Sequence, residues 1–134
     1  MASIVDIEGI GDATAAKLKE AGVGTVEKLL ETGATAKGRK ELAAKAGIDE
    51  AKILKWVNHA DLFRIKGVAS EYAELLEAAG VDSPAELAHR AAANLFAKMT
   101  EVNTAKKLVR KLPTETQVAG WVEQSKKLPK VVTH

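Results

Sequence analysis

Shifted by 58 positions, the sequence meets itself. Ile7, Gly9, Ile10, Ala15, Leu18, Ala21, Gly22, Val23 and Leu29 fall on Ile65, Gly67, Val68, Ala73, Leu76, Ala79, Gly80, Val81 and Leu87 without a gap. A pattern of glycines and aliphatics recurring at one fixed spacing is the mark of a structural unit built twice, which leaves few architectures open. Further along, Lys55-Trp56-Val57 falls on Gly120-Trp121-Val122 at an offset of 65, so the second copy carries about seven extra residues between its middle helices. The two tryptophans occupy equivalent places in the two copies.

Within each copy the apolar residues recur at intervals of three and four and never alternate strictly, which predicts short helices and no strand. Asp12 is placed to cap a helix of about 13–21, Thr25 one of about 26–32 and Asp49 one of about 50–58, while Gly22 and Gly47 supply left-handed stops. In the second copy Ser83-Pro84-Ala85-Glu86 offers a capping serine, a proline at the first helical position and a glutamate able to bond back. Thr114 to Gln117, after Pro113, repeats that logic. Each cap is worth about 1 kcal/mol, so caps set boundaries while Leu and Val faces supply the core.

The composition agrees. In 134 residues, 46% hydrophobic, the apolar content is mainly Ala, Leu and Val with only five aromatic side chains, which suits a closely packed helical fold. No apolar run nears the roughly 20 residues that span a bilayer, and no basic segment leads into an apolar one at the N-terminus, so retention in the cytoplasm is expected. Without cysteine, disulfides and thiolate metal sites are excluded.

The segment Ile7-Glu8-Gly9-Ile10-Gly11-Asp12-Ala13-Thr14-Ala15-Ala16-Lys17-Leu18, closing at Ala21-Gly22-Val23, places an apolar residue two positions before a Gly-apolar-Gly turn. Counted from Gly11, a small residue follows four places on and a leucine seven places on. Glycines let a backbone turn sharply and approach a ligand closely, so the amides of Gly9 to Asp12 can point outward at the start of a helix, as a phosphate requires. In this the segment resembles the helix-hairpin-helix family. The resemblance implies a grip on the nucleic-acid backbone without sequence reading, through Gly9, Ile10, Gly11 and Lys17. It implies no cofactor beyond a monovalent cation on the turn's carbonyls. The same turn equally serves to pack two helices, and Glu8 and Asp12 put negative charge on both sides of it. The second copy reads Ile65-Lys66-Gly67-Val68-Ala69; it has lost its second glycine but gained Arg64 and Lys66, so Lys66 and Gly67 join the candidate contacts.

From Asp61 on, including Asn94-Leu95-Phe96-Ala97-Lys98-Met99, Val102-Asn103 and Lys106-Lys107-Leu108-Val109-Arg110-Lys111-Leu112-Pro113, the chain is similar to a bacterial helix-hairpin-helix family catalogued as domain of unknown function 4332. The likeness covers nearly the whole chain. It implies an all-α fold of two diverged helix-hairpin-helix (SAM-like) repeats packed as a compact bundle of short helices. The first repeat is expected over 1–62, and a degenerate second with basic C-terminal helices over 63–134. Some members carry a label likening them to flap endonucleases, yet the likeness supplies no catalytic residue.

Charge is nearly balanced, at +2 overall, but unevenly placed: residues 98–134 hold eight basic and three acidic side chains. Lys106, Lys107, Arg110 and Lys111 lie among Leu108, Val109 and Leu112, so on a helix they would share one broad charged face, either a plain solvated surface or a track for phosphates. Lys37, Arg39 and Lys40 form a smaller cluster. His59, His89 and His134 are too scattered to suggest a metal. Trp56 and Trp121, with Phe63, Tyr72 and Phe96, read as core anchors, because single-strand binders line up several aromatics along a basic groove. No nucleophile with its base and no carboxylate cluster suggests an enzyme.

The expectation is a non-catalytic binder of the DNA backbone, with RNA as the alternative nucleic acid. The competing reading is a protein-interaction or assembly module in which the hairpins are scaffold. No membrane contact and no small-molecule substrate are expected.

Overall fold

The computed structural model describes residues 3–133; Met1, Ala2 and His134, the last of the three histidines weighed above, lie outside the described residues. Residues 3–133 form helices and the turns between them, apart from one isolated antiparallel bridge between Ser3 and Thr25. A 3-10 turn at Ile4–Asp6 is followed by α1 (Asp12–Glu20), α2 (Val26–Thr32), α3 (Ala36–Ala46), α4 (Glu50–Leu62), α5 (Ser70–Ala78), α6 (Pro84–Leu87), α7 (Ala92–Lys106) and α8 (Glu115–Lys127). None of these helices is long and apolar enough to cross a membrane. Contacts divide the chain into two compact units, one reaching Asp61 and taking in the stretch from Val131, the other Leu62–Lys130.

In the first unit the capping residues set the boundaries. Thr25 Oγ1 accepts from the Lys28 amide and Thr35 Oγ1 from that of Gly38, while Asp49 Oδ1 accepts from Ala51. Gly22 and Gly47 take positive φ, 89° and 68°, as their expected roles as stops require. Two boundaries differ from expectation. Asp12 is the first residue of α1 rather than its cap, and Gly11 precedes it without any side-chain bond to the helix. α4 runs on to Leu62, because Ile53, Trp56, Val57 and Ala60 give it an apolar stripe that keeps its period well past 58. Both α1 and α2 pack against α3 and against the 3-10 turn, over an interior that includes Ile4, Ile7, Leu18, Leu29 and Ile53.

Arg39 is not part of a basic surface. It is 4% exposed, and its guanidinium donates to the carbonyls of Gly33 (2.9 Å), Ala34 (3.3 Å) and Thr133 (2.7 Å). The Thr133 amide returns a bond to the Ala34 carbonyl at 2.8 Å, so this arginine pins the chain's last described residues to the α2–α3 junction. A fork of fixed donors suits three carbonyls better than a flexible ammonium would, which explains Arg between two lysines that stay exposed.

The second unit packs α7 on both α5 and α8, and α6 on α8, around Leu62, Ile65, Leu75, Leu76, Leu87, Leu95 and Met99. Ser83 caps α6 through the Glu86 amide; the Glu86 carboxylate accepts from Arg90. Thr114 and Gln117 form the full reciprocal box at the start of α8. The basic run is where helix was expected and is not found. α7 ends at Lys106, Lys107 turns into the left-handed region at φ 51°, and the chain stays non-helical to Thr114. Asn103 explains the stop: its amide donates to the Val109 carbonyl (3.1 Å) and its carbonyl accepts from the Val109 amide (2.9 Å). That clamp buries Val109 and directs the chain toward Pro113, which no helix could pass unbroken. Lys106, Lys107, Arg110 and Lys111 are all exposed, yet only Lys106 lies on a helix.

Candidate nucleic-acid interface

The turn that opens α1 is fixed by a short ladder. The Ile7 amide donates to Ile4 O at 3.1 Å and the Ile10 amide to Ile7 O at 3.1 Å, with Gly9 between them at φ 94°. Gly11 is extended (φ −86°, ψ −178°), and its carbonyl accepts from Ala15 at 2.9 Å. The far end closes with Val23 N to Leu18 O at 2.8 Å. The second unit repeats the ladder 58 residues on: Ile65 N to Leu62 O at 3.1 Å, Val68 N to Ile65 O at 3.1 Å, Ala73 N to Ala69 O at 2.9 Å, Val81 N to Leu76 O at 2.8 Å, and Gly67 at φ 93°. Only the first glycine of each turn needs a left-handed backbone. The second position is extended in both, so Ala69 (φ −102°, ψ −174°) replaces glycine there without strain.

This ladder corrects the expected contact set at one residue. Ile10 is 5% exposed and its amide is spent on Ile7, so neither its side chain nor its N–H is available to a phosphate. The open donors lie one step later. Asp12, Ala13 and Thr14 carry first-turn amides that an α-helix leaves without internal acceptors, and Gly11 offers no side chain to cap them.

Beside this helix start lies a cleft of ≈ 360 Å³, walled by the glycine turn, by Thr14 and Lys17 of α1, by Gly47 to Asp49, and by Lys52, Lys55 and Trp56 of α4. The fold therefore brings Gly9 and Lys17 together, as expected, and adds Lys52 and Lys55, which sequence reasoning missed. Lys52 and Lys55 stand three apart on one helix, but neighbouring lysines on an amphipathic helix look like any solvated face until the partner element is known. Trp56 is a core residue, 6% exposed, and also a wall of the cleft. A Cβ built on Gly9 would stand 3.4 Å from Trp56 Nε1, so the turn lies directly over the indole. Glu8 and Asp49 share the lining, leaving three lysines against two carboxylates.

The second unit uses the same parts differently. A Cβ on Gly67 would stand 3.0 Å from Trp121 Nε1. Lys66, expected to face a phosphate, has its backbone held by Gln124, which accepts from the Lys66 amide (2.9 Å) and donates to its carbonyl (3.3 Å), while its side chain is exposed. Tyr72, 58 residues after Thr14, sets its ring 5.4 Å from that of Trp121 and donates from its hydroxyl to Lys111 O at 3.1 Å. Arg64 donates to Pro129 O. His59 is fully buried on α4 and His89 is exposed after α6, in different units.

A family model described as a domain of unknown function (DUF4332) matches residues 8–128. The chain belongs to the DUF4332 family. Searches of curated proteins and of solved structures each returned no match. The DUF4332 match takes in Gly9, Gly67, both tryptophans and every residue that lines the cleft.

Proposed function

We propose that this DUF4332 chain binds the nucleic-acid backbone, DNA foremost, without reading sequence, and that its two glycine turns are helix-hairpin-helix turns. The observation that carries the proposal is the cleft that sets Thr14, in the uncapped first turn of α1, beside Lys17, Lys52 and Lys55. Open amides at the positive end of a helix favour an anion, and lysines placed around them favour a phosphate among anions. The exposed Lys106, Lys107, Arg110 and Lys111 add diffuse attraction, which acts on any sequence. An assembly module would need exposed apolar surface, whereas among the described residues the one large hydrophobic side chain exposed is Val5. We place the protein in a bacterial cytoplasm, where a cysteine-free chain of this composition is at home.

Fluorescence anisotropy with labelled duplex and single-stranded DNA of two unrelated sequences tests this. Binding of similar strength to both sequences, weakening steeply between low and physiological salt, is the expected result. Absence of binding at low salt, or affinity that salt leaves unchanged, would contradict it.

A further inference from the structure

Trp56 presents a second sign of a ligand. The residue is 6% exposed, and no acceptor among the described residues takes its Nε1–H, which lies under Gly9 at the wall of the cleft. The N–H is not sealed off among the buried unpartnered atoms, so it is open to an acceptor seated in the cleft. Lys17 of α1 and Lys52 of α4 supply positive charge, and Glu8 and Asp49 supply acceptors suited to hydroxyl donors. At ≈ 360 Å³ the space exceeds a bare phosphate and falls at the small end of ligand pockets, which run from about 300 to 1,000 Å³.

Resting on the nucleic-acid reading, we infer that the cleft seats one phosphate together with the nucleoside attached to it. Lys17, Lys52 and the Trp56 N–H hold the phosphate beside Thr14 of α1, and Glu8 and Asp49 accept from a hydroxyl of the nucleoside's sugar. The second unit does not repeat the seat's residues. At the matching positions of the second unit Thr14 becomes Tyr72, whose ring lies against Trp121, and Lys17, Lys52 and Lys55 become Leu75, Gln117 and Gly120. Tyr72 lies against the indole there, and the three lysines have no counterpart.

The two tryptophans make this directly readable, because each gives one indole N–H resonance in a nitrogen–proton correlation spectrum, assigned by Trp121→Phe. The full chain is titrated with thymidine 5′-monophosphate, with thymidine and with inorganic phosphate. The monophosphate is expected to move the Trp56 resonance saturably and leave that of Trp121 still, with thymidine and phosphate each far weaker. A Lys17→Glu, Lys52→Glu chain with an otherwise unchanged spectrum is expected to bind about tenfold more weakly or worse, the weight of one charge-assisted hydrogen bond. Movement of neither indole, equal movement of both, or full affinity in the double variant overturns the seat, and an equal response to inorganic phosphate overturns its nucleoside half. Labelled DNA separates the two readings. DNA bound with Trp56 unmoved sinks the seat and leaves backbone binding standing, whereas monophosphate bound in the cleft by a chain that ignores DNA sinks the nucleic-acid reading and leaves a nucleotide pocket.

Discussion

Gly9 and Gly11 differ in what their neighbours demand, although a motif treats them alike. Gly9 combines φ 94° with an indole 3.4 Å from where a Cβ would stand; Gly11 is extended, and a Cβ there would meet nothing within 4 Å. Gly9→Ala should therefore lower stability by about 1–2 kcal/mol, the cost of a left-handed backbone for an L-residue. Gly67→Ala should lose more, since its Cβ would stand only 3.0 Å from Trp121 Nε1. Gly11→Ala should stay within about 0.5 kcal/mol of the native chain. Urea unfolding midpoints give all three, and equal losses at Gly9 and Gly11 would contradict the geometry. Arg39 makes the complementary case. Arg39→Ala leaves three carbonyls without their donor and should cost about 3 kcal/mol, with Arg39→Lys recovering only part, while DNA affinity at a temperature where the variant is folded stays unchanged. In the sequence Arg39 looked like Lys37 and Lys40, because composition shows a charge but not the carbonyls that will surround it.

At the scale of elements, the starts of α2, α4, α6 and α8 were legible from their capping side chains, whereas that of α3, capped by Thr35, was not. Thr25, Asp49, Ser83 and Thr114 all sit where the pattern put them, and each bonds the expected amide within its first turn. Helix ends were less so. The end of α7 is decided by Asn103 reaching six residues along to Val109, a contact that no periodicity encodes. Hence Lys106 to Lys111 read as a helical face and is instead an exposed, mostly non-helical segment. Two substitutions test this ending. Lys107→Gly removes the strain of φ 51° on a side-chain-bearing residue and should raise stability by about 1 kcal/mol. Asn103→Ala frees the Val109 amide and carbonyl and should lower it by about 2 kcal/mol. Thermal melts followed by circular dichroism check both; a stabilising Asn103→Ala would mean that α7 prefers to run on.

For the whole molecule, the 58-residue offset was the most informative feature of the sequence, since the hydrogen-bond ladder of one turn recurs in the other at the same spacing. The candidate site was legible only by half. Gly9 and Lys17 lie on the motif itself, whereas Lys52, Lys55 and Trp56 belong to α4 and join the lining only through the fold. Net charge alone pointed to the C-terminal third. The cleft in the first unit and the basic residues of the second are thus rival anchors, and salt dependence distinguishes them, because each lost phosphate contact lowers the slope of log affinity against log salt by about 0.7–0.9. The most direct measurement is that slope for single-stranded DNA, taken for the native chain, for Lys17→Glu with Lys52→Glu, and for glutamate replacements at Lys106, Lys107, Arg110 and Lys111. The account predicts that the cleft variant loses measurable binding at physiological salt, while the second variant keeps binding with a shallower slope. Binding that survives loss of the cleft lysines but vanishes with the C-terminal ones would contradict it.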